Sequence, residues 1–308
     1  MFVYHKLDNV KSTNRVIVIG NFDGLHIGHQ NLIKKGYEIA KENNIPLCVL
    51  TFFPQWQSIL KDDFKYLLSQ HEKMTFLDEL QVDEVISLTF NQEFASIDAN
   101  DFVNKILVDK LCAQHIVVGF NFSFGKNAQG TPALLKELLE ARNVKLHIEE
   151  AFEFRGNTVS SSLIRRQLKA SNMTLVNELL GYPYHLCGEV IHGKQIGRTL
   201  NFPTANIDYD DSILLPSCGV YSARVWLSND PGKKYTGVLN IGTRPTIDNS
   251  QQITIEIHIL DFNRDIYGDD ICIEVHHFLR HISKFHNLDE LKLAITMDVE
   301  NTKKYFNK

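Results

Sequence analysis

The stretch VIVIGNFDGLHIGH, residues 16–29, decides how this chain folds. Its first four residues are apolar and β-branched, which is typical of a strand buried on both faces. A turn rich in Gly and Asp follows, and from Gly28 onward apolar residues recur at helical spacing until Asn43-Asn44. The stretch therefore predicts a buried strand, a tight loop and the N-terminus of a helix.

The same loop has the residues of an anion site. His26 and His29 are close enough in sequence to point toward one spot, and Gly28 lets a phosphate approach the amides at the helix start. This combination suits the α-phosphate of a nucleotide. The tetrapeptide HxGH also arises by chance in a chain with 13 histidines, but the strand-loop-helix context favours the functional interpretation.

Outward from this stretch, the first half alternates between strand and helix patterns. Strand-like runs are 47–53, 115–118 and 144–148, and helical runs are 101–111 and 132–142. Such alternation predicts a parallel α/β sheet. Ligands bind at the carboxyl ends of strands in sheets of this kind, so the loops after Ile19 and Val118 are the candidate sites.

The second half has short β-rich runs broken by turn residues. These runs are 187–191, 219–227, 235–241, 253–260 and 270–278. They predict an antiparallel barrel or sandwich, and a closing helix is predicted from Leu288 through Phe306. We place the seam near Leu180–Pro183, which gives domains 1–182 and 183–308.

Composition narrows the classes of function. With 308 residues, 44% of them hydrophobic and 22% charged, the chain is typical of a globular protein with two cores. A net charge of −5 argues against affinity for a nucleic-acid backbone or an anionic membrane. Five scattered cysteines without a CxxC pair indicate neither a disulfide framework nor a zinc site. The polar N-terminus and the lack of a long apolar run favour the cytoplasm, and the oligomeric state stays open.

Four further segments carry candidate sites, each with a structural alternative. Ser160, Ser161, Ser162 and Arg165 form either a phosphate-binding helix start or a capped surface helix with solvated arginines. The loop 119–126 fails the spacing of a P-loop, and its aromatic residues lie either beside a planar ligand or in the core.

In the second half, Thr204 and Asn206 alternate in an extended segment, so their oxygens face one side and suit Mg²⁺, although a Pro-Thr-x-Asn turn is more often only a turn. Isoleucines alternate from Ile253 to Ile259, which turns Glu256 away from the core. Glu256 is then either a solvated strand carboxylate or a general base.

Taken in order, seven motifs resemble the prokaryotic bifunctional riboflavin kinase/FAD synthetase family over almost the whole chain. They are GNFDGLHIGH (20–29), VVGFNFSFG (117–125), VSSSLIR (159–165), GRTLNFPTAN (197–206), GVY (219–221), NIGTRPT (240–246) and IEIHILDFNRDIYG (255–268). The resemblance implies a Rossmann-like nucleotidyltransferase domain followed by a riboflavin-kinase β-barrel with a terminal helix. It also implies ATP as co-substrate, Mg²⁺ as cofactor, and riboflavin, FMN and FAD as ligands.

The resemblance also implies a role for each matching residue. In the adenylyl site it assigns charge stabilisation at the α-phosphate to His26 and His29, and flavin binding to Asn121 and Phe122. It assigns ATP binding there to Gly20, Phe22, Asp23, Gly24, Gly28, Ser160, Ser161, Ser162 and Arg165. In the kinase site it assigns proton removal from the ribityl 5′-hydroxyl to Glu256, metal binding to Thr204 and Asn206, and ATP binding to Gly193, Lys194, Gly197, Thr204 and Asn206.

The chain departs from the family pattern at three places. Gln55, Trp56 and Gln57 stand where a Pro-His-Pro-like stretch is usual, Asn201 replaces a glycine, and Ile282 replaces an acidic residue. These departures affect expected flavin contacts and relative rates, not the phosphate chemistry. The rival interpretations are a nucleotidyltransferase for another small phosphorylated acceptor and a flavin-binding regulator with an inactive site.

Overall fold

The computed structural model describes residues 1–55, 58, 63–193, 202–245 and 251–307. They divide into two compact units, Met1–Ser161 and Ser162–Lys308.

The first unit is built on a six-stranded sheet whose paired strands all run parallel, as predicted. The order across the sheet is β1-β4-β3-β2-β5-β6. The strands are β1 (Phe2–Tyr4), β2 (Arg15–Ile19), β3 (Leu47–Phe52), β4 (Glu84–Leu88), β5 (Ala113–Gly119) and β6 (Lys145–Glu149), and a small hairpin follows, β7 (Glu153–Phe154) and β8 (Asn157–Thr158).

Helices cover both faces of this sheet. The main ones are α1 (Ile27–Asn43), α2 (Gln70–Glu79) and α3 (Pro132–Glu140). The predicted helix 101–111 is present as a short α-helix, Ala99–Asp101, that continues into a π-helical segment, Phe102–Lys110; the remaining short pieces are Gln92–Ala95, Leu7–Asn9 and Lys126–Ala128. α2 was not predicted from the sequence.

β2 is the central strand that places the site. Val16 and Val18 face one core cluster, which also contains residues of α1, whereas Ile17 and Ile19 face the other. β2 lies between β3 and β5, and parallel strands bring their carboxyl ends to the same edge of the sheet. The loops after β2 and β5 therefore leave the sheet side by side.

The second unit is a closed barrel in which all the pairings are antiparallel, so the barrel alternative of the sequence analysis is confirmed. Its order is β10-β13-β12-β11-β14-β9, and β9 pairs with both β10 and β14. The elements are α4 (Ser161–Lys169), α5 (Met173–Leu180), β9 (His185–Ile191), β10 (Ala205–Tyr209), β11 (Gly219–Leu227), β12 (Lys234–Pro245), β13 (Gln251–Ile259), β14 (Asp270–Arg280) and α6 (Leu288–Phe306).

Helices are fixed to the barrel by specific polar contacts. Asn177 of α5 donates from Nδ2 to the Val275 carbonyl at 3.0 Å and accepts from the Tyr184 amide at 2.8 Å. The predicted closing helix α6 is held by an ion pair between Arg280 and Asp298, 2.8 Å between Nη2 and Oδ2. The helices α5 and α6 therefore form one folded body with the barrel.

One expectation about the cysteines is wrong. Cys187 and Cys272 form a disulfide, because the antiparallel register of β9 and β14 sets them directly opposite each other. That register joins positions 85 residues apart, which no spacing rule for cysteines detects. Separately, no helix among the described residues is long and apolar enough to span a membrane.

Candidate active sites

The loop between β2 and α1 is tightly folded. Phe22, Gly24 and Leu25 have φ of 52°, 76° and 36°, in the left-handed region that residues other than glycine seldom adopt. The ring of Phe22 lies against the backbone of Gly20, where an added Cβ would be only 2.9 Å from Cζ. A loop this compact places His26 directly at the start of α1.

His26 and His29 come together at this helix start. His26 is the N-cap of α1, and its Nδ1 accepts a hydrogen bond from the His29 amide at 3.3 Å. The two imidazole rings stack with centroids 3.6 Å apart, and Phe22 meets the His29 ring edge-on at 5.3 Å. The close approach also explains Gly28, because an added Cβ there would lie 3.3 Å from the His26 ring.

Both histidines are neutral near pH 7. Burial lowers the pKa of His26 to about 4. Burial also lowers the pKa of His29 well below its usual value, and it is lowered further by the charge of Lys73 and, when His26 is protonated, by that of His26. Since the Nδ1 atom of His26 accepts a hydrogen bond, its proton lies on Nε2, which is then a donor.

The His29 ring has an unused polar atom. Its Nδ1 is buried and has no hydrogen-bond partner among the described residues. Buried polar atoms without partners are rare and often mark a place where a ligand binds. Together with the helix N-terminus, the two rings form a neutral, donor-bearing site suited to an anion.

Asp23 and Ser161 tie this loop to its surroundings. The buried Asp23 carboxylate accepts from the Leu67 amide at 2.9 Å, and the Asp23 carbonyl accepts from the Ser161 hydroxyl at 2.9 Å. The predicted helix start is confirmed at Ser161. Ser160 precedes it, and Ser162 and Arg165 belong to the second unit. The assignment of all four residues, Ser161 included, to the triphosphate stays a prediction.

The loop after β5 contains Asn121 and Phe122. Asn121 is exposed, and its Oδ1 lies close to Gly119, at the carboxyl end of β5. Phe122 is half-buried and stacks on Phe124, which is itself part of the core. Phe124 therefore follows the core alternative, and Phe122 packs against the same core cluster. Asn121 lies at the edge of the sheet shared with the histidines, and the flavin contacts of Asn121 and Phe122 stay predictions.

The second site lies on neighbouring strands of the barrel. The register pairs Asn206 of β10 with Glu256 of β13, and Glu256 with Asn240 of β12. Ile255, Ile257 and Ile259 are buried whereas Glu256 is half-buried, as the alternation predicts. Ile253, near the start of β13, is exposed, so its predicted place on the core face is wrong. Gly193 lies against Asn206, and an added Cβ there would be 2.1 Å from Nδ2.

The segment before β10 is fixed by β13. His258 donates from Nδ1 to the Pro203 carbonyl at 2.7 Å, and its ring meets Phe202 edge-on at 5.5 Å. Burial lowers the pKa of His258, which keeps the ring neutral. These contacts hold the two residues before Thr204, which itself lies two residues before Asn206.

Some predicted residues lie outside the described part of the chain. They are Lys194 and Gly197 of the kinase site, and Trp56, Gln57 and Asn201 among the departures. Of the described departures, Gln55 is buried and donates to the Asn21 carbonyl, and Ile282 is exposed.

The sequence analysis missed two residues that the structure brings to these sites. Lys73 is fully buried and donates to the Asn21 carbonyl, and Asn240 lies beside Glu256. The one signal for Lys73 is that a lysine occupies a position four residues before the buried Leu77, on the inner face of a helix. Asn240 opens the motif NIGTRPT, but only the strand register places it beside Glu256.

Comparisons with known proteins match both halves of the chain. A family model described as FAD synthetase matches residues 8–163, and one described as riboflavin kinase matches residues 180–306. A protein of Haemophilus influenzae named bifunctional riboflavin kinase/FMN adenylyltransferase is 36% identical, over 96% of this chain and 97% of its own length. A Buchnera aphidicola protein of the same name is 35% identical over 98% and 97%.

A solved structure also matches along the whole length. It is described as a macrolide-efflux protein from Streptococcus pneumoniae, with a TM-score of 0.90 and 30% identity over 98% of each chain. Its description differs from those of the curated relatives and of both family models.

Proposed function

Since the chain belongs to the bifunctional riboflavin kinase/FMN adenylyltransferase family, we propose that it makes FAD from riboflavin in two steps. The barrel unit transfers a phosphoryl group from ATP to riboflavin and gives FMN. The sheet unit then joins FMN to the adenylyl group of a second ATP and releases pyrophosphate. The observation that carries this proposal is that one chain holds both the stacked histidines at the start of α1 and the Asn206–Glu256 pair of the barrel.

In the adenylyl step, a phosphate oxygen of FMN forms a bond to the α-phosphorus of ATP while the bond to pyrophosphate breaks. Charge builds up on the α-phosphate oxygens, and donors preorganised there stabilise it. His26 offers Nε2–H, His29 offers its ring, and α1 offers its N-terminal amides. Neutral rings suit this role, because they donate without taking part in proton transfer.

In the kinase step, the 5′-hydroxyl oxygen of riboflavin attacks the γ-phosphorus of ATP while Glu256 accepts the hydroxyl proton. The bond between the γ-phosphorus and the bridging oxygen breaks, and ADP leaves. The strand register keeps this carboxylate beside Asn206, and burial of the neighbouring isoleucines fixes its direction. The Thr204 hydroxyl and the Asn206 amide are oxygen donors of the kind that Mg²⁺ prefers, so these residues fit a magnesium ion. Such an ion, when bound, neutralises charge on the ATP phosphates.

We also propose three further properties. The functional modules are proposed as 1–182 and 183–308, with riboflavin, FMN, FAD and ATP as partners, and the cytoplasm is the proposed location.

The rival acceptor for the first unit is disfavoured because the second unit's proposed product is the first unit's proposed substrate. The rival regulator with an inactive site is disfavoured because His26, His29, Asn206 and Glu256 are all in place.

The test is product analysis with the full-length protein. Riboflavin, ATP and Mg²⁺ are incubated with the protein and the flavins are separated by chromatography. The proposal expects FMN to appear first and FAD to follow. Formation of FMN alone would remove the adenylyl assignment, FAD only from supplied FMN would remove the kinase assignment, and no flavin product would contradict both.

A further inference from the structure

Lys73 is a buried cation placed directly behind the histidine loop. It belongs to α2, which begins with a capping box between Ser69 and Glu72, and its side chain has no exposed surface. Its Nζ donates to the carbonyl of Asn21 at 3.0 Å. Asn21 is the second residue of the loop that ends at His26, so α2 is attached to that loop.

Three donors from different places meet on that one carbonyl. Besides Lys73, the Thr51 hydroxyl at the end of β3 lies 3.3 Å from the Asn21 oxygen, and the Gln55 amide lies 3.4 Å from it. Thr51 and Gln55 are also buried. The Asn21 peptide is therefore fixed in orientation before any ligand arrives.

The ammonium group also acts through its charge. Burial lowers the pKa of Lys73 to about 8, and the nearby Asp23 carboxylate opposes this shift. Its positive charge in turn lowers the pKa of His29. In the described part of this unit, the titratable groups that interact with the Lys73 ammonium are thus Asp23 and His29. The ring of His26 stacks on that of His29.

A purely structural role does not require this charge. Burying an ammonium group is costly, and an apolar side chain of similar size would pack at less expense. Arg15 of the same sheet shows how a buried cation is usually stabilised. It is fully buried, and its Nε forms an ion pair with Glu84 Oε2 at 2.9 Å. Arg15 lies at the amino end of β2, whereas Lys73 lies against the loop at its carboxyl end.

We propose that Lys73 is a positioning residue for adenylyl transfer: it fixes the Asn21 peptide of the histidine loop, and its buried charge favours the polyphosphate that binds beside His29. This inference rests on the proposed adenylyltransferase function. Lys73 itself touches neither substrate nor the reacting atoms, and it acts through the loop and through its electric field.

The test compares Lys73→Met with Thr51→Val. Both variants remove a donor to the Asn21 carbonyl, but only the first removes a charge. Lys73→Met should lower kcat/KM for ATP in FMN adenylylation by about tenfold, less than the ~10²–10³ of a direct transition-state donor. Thr51→Val should cost no more than about fivefold, as for one neutral hydrogen bond.

The pH profile separates charge from packing. In the wild type, kcat/KM for adenylylation should decline above about pH 8, where Lys73 loses its proton. Thr51→Val should keep this decline and Lys73→Met should lack it. Riboflavin phosphorylation by the same samples is the internal control. Neither substitution should alter its rate or its pH profile.

Two outcomes would overturn the inference. One is a Lys73→Met protein that adenylylates FMN as fast as the wild type with the same pH profile. The other, which also decides the matter if that variant does not fold, is a wild-type adenylylation profile that stays flat from pH 7 to 9.5. A wild type without any FMN adenylylation would instead contradict the proposed function.

Discussion

The histidine site and the carboxylate site are assembled in opposite ways. His26 and His29 lie within one short loop and helix start, and their stacking is settled by local backbone geometry. Asn206 and Glu256 are 50 residues apart and become neighbours only through the register of β10 and β13. The geometry of the histidine site, a local site, should therefore depend on its loop. The geometry of the carboxylate site, a register site, should depend on the whole barrel.

Glu256→Gln breaks the register site at its chemical centre. Riboflavin phosphorylation should fall by roughly 10²–10⁴-fold, because the amide nearly preserves shape but cannot accept the hydroxyl proton. The measurement is turnover of both half-reactions in parallel. FAD formation from supplied FMN should survive, and an equal loss of both activities would show that Glu256 acts on folding.

His29→Ala breaks the local site. FMN adenylylation should fall by roughly 10²–10³-fold, as when a preorganised donor is lost, while riboflavin phosphorylation continues. FMN should then accumulate in the full reaction, which chromatography detects. FAD formation at the wild-type rate would mean that the adenylyl site lies elsewhere.

Asn177→Ala tests how far the barrel depends on α5. The change leaves the Val275 carbonyl and the Tyr184 amide without their present partner, which should lower the free energy of unfolding of the second unit by about 2 kcal/mol. Urea unfolding followed by the fluorescence of Trp226 measures this in a Trp56→Phe background.

A pair of fragments extends that test. Residues 162–308 should be more stable than 183–308, although the shorter fragment should still phosphorylate riboflavin. An inactive but folded 183–308 fragment would contradict the proposed module boundary.

Mild acid should weaken the two units unequally. The folded-state pKa of His26 is about 4, below its ordinary value of 6.5, so the unfolded chain binds a proton more readily than the folded unit. The free energy of unfolding of the first unit should therefore fall by about 1 kcal/mol between pH 7 and pH 5.5. In the barrel, burial alone would raise the pKa of Glu274, but hydrogen bonds from His276 and Lys234 lower it to about 2. The stability that Glu274 contributes is lost only below about pH 4.5, outside this range.

Fluorescence resolves the two responses. Trp56 lies in the sequence of the first unit and Trp226 in that of the second, so Trp226→Phe and Trp56→Phe proteins each report on one unit. His258 adds a smaller loss in the barrel because its pKa is also lowered. A His26→Asn change should reduce the acid response of the first unit, and an unchanged response would contradict the assignment.

The sequence predicted what depends on local pattern. β2, the loop, α1 and the barrel strands other than the short β10 follow from β-branched runs, turn residues and periodicity. The pattern did not reveal α2, whose inner face contains Lys73, because a charged residue interrupts the apolar stripe. Neither Asn240 nor the Cys187–Cys272 bond was predictable, since both depend on which strands pair and in what register.

Closure of the barrel has a consequence for aggregation. β9 completes the ring between β10 and β14, so each of the described barrel strands has two neighbours and none of them offers an open edge for another chain to join. The parallel sheet instead ends at β1 and β6, and β1 exposes Phe2 and Val3. Its three-residue length limits strand addition by a second molecule. If the protein self-associates during refolding, the contacts should therefore begin at the sheet and leave the barrel intact.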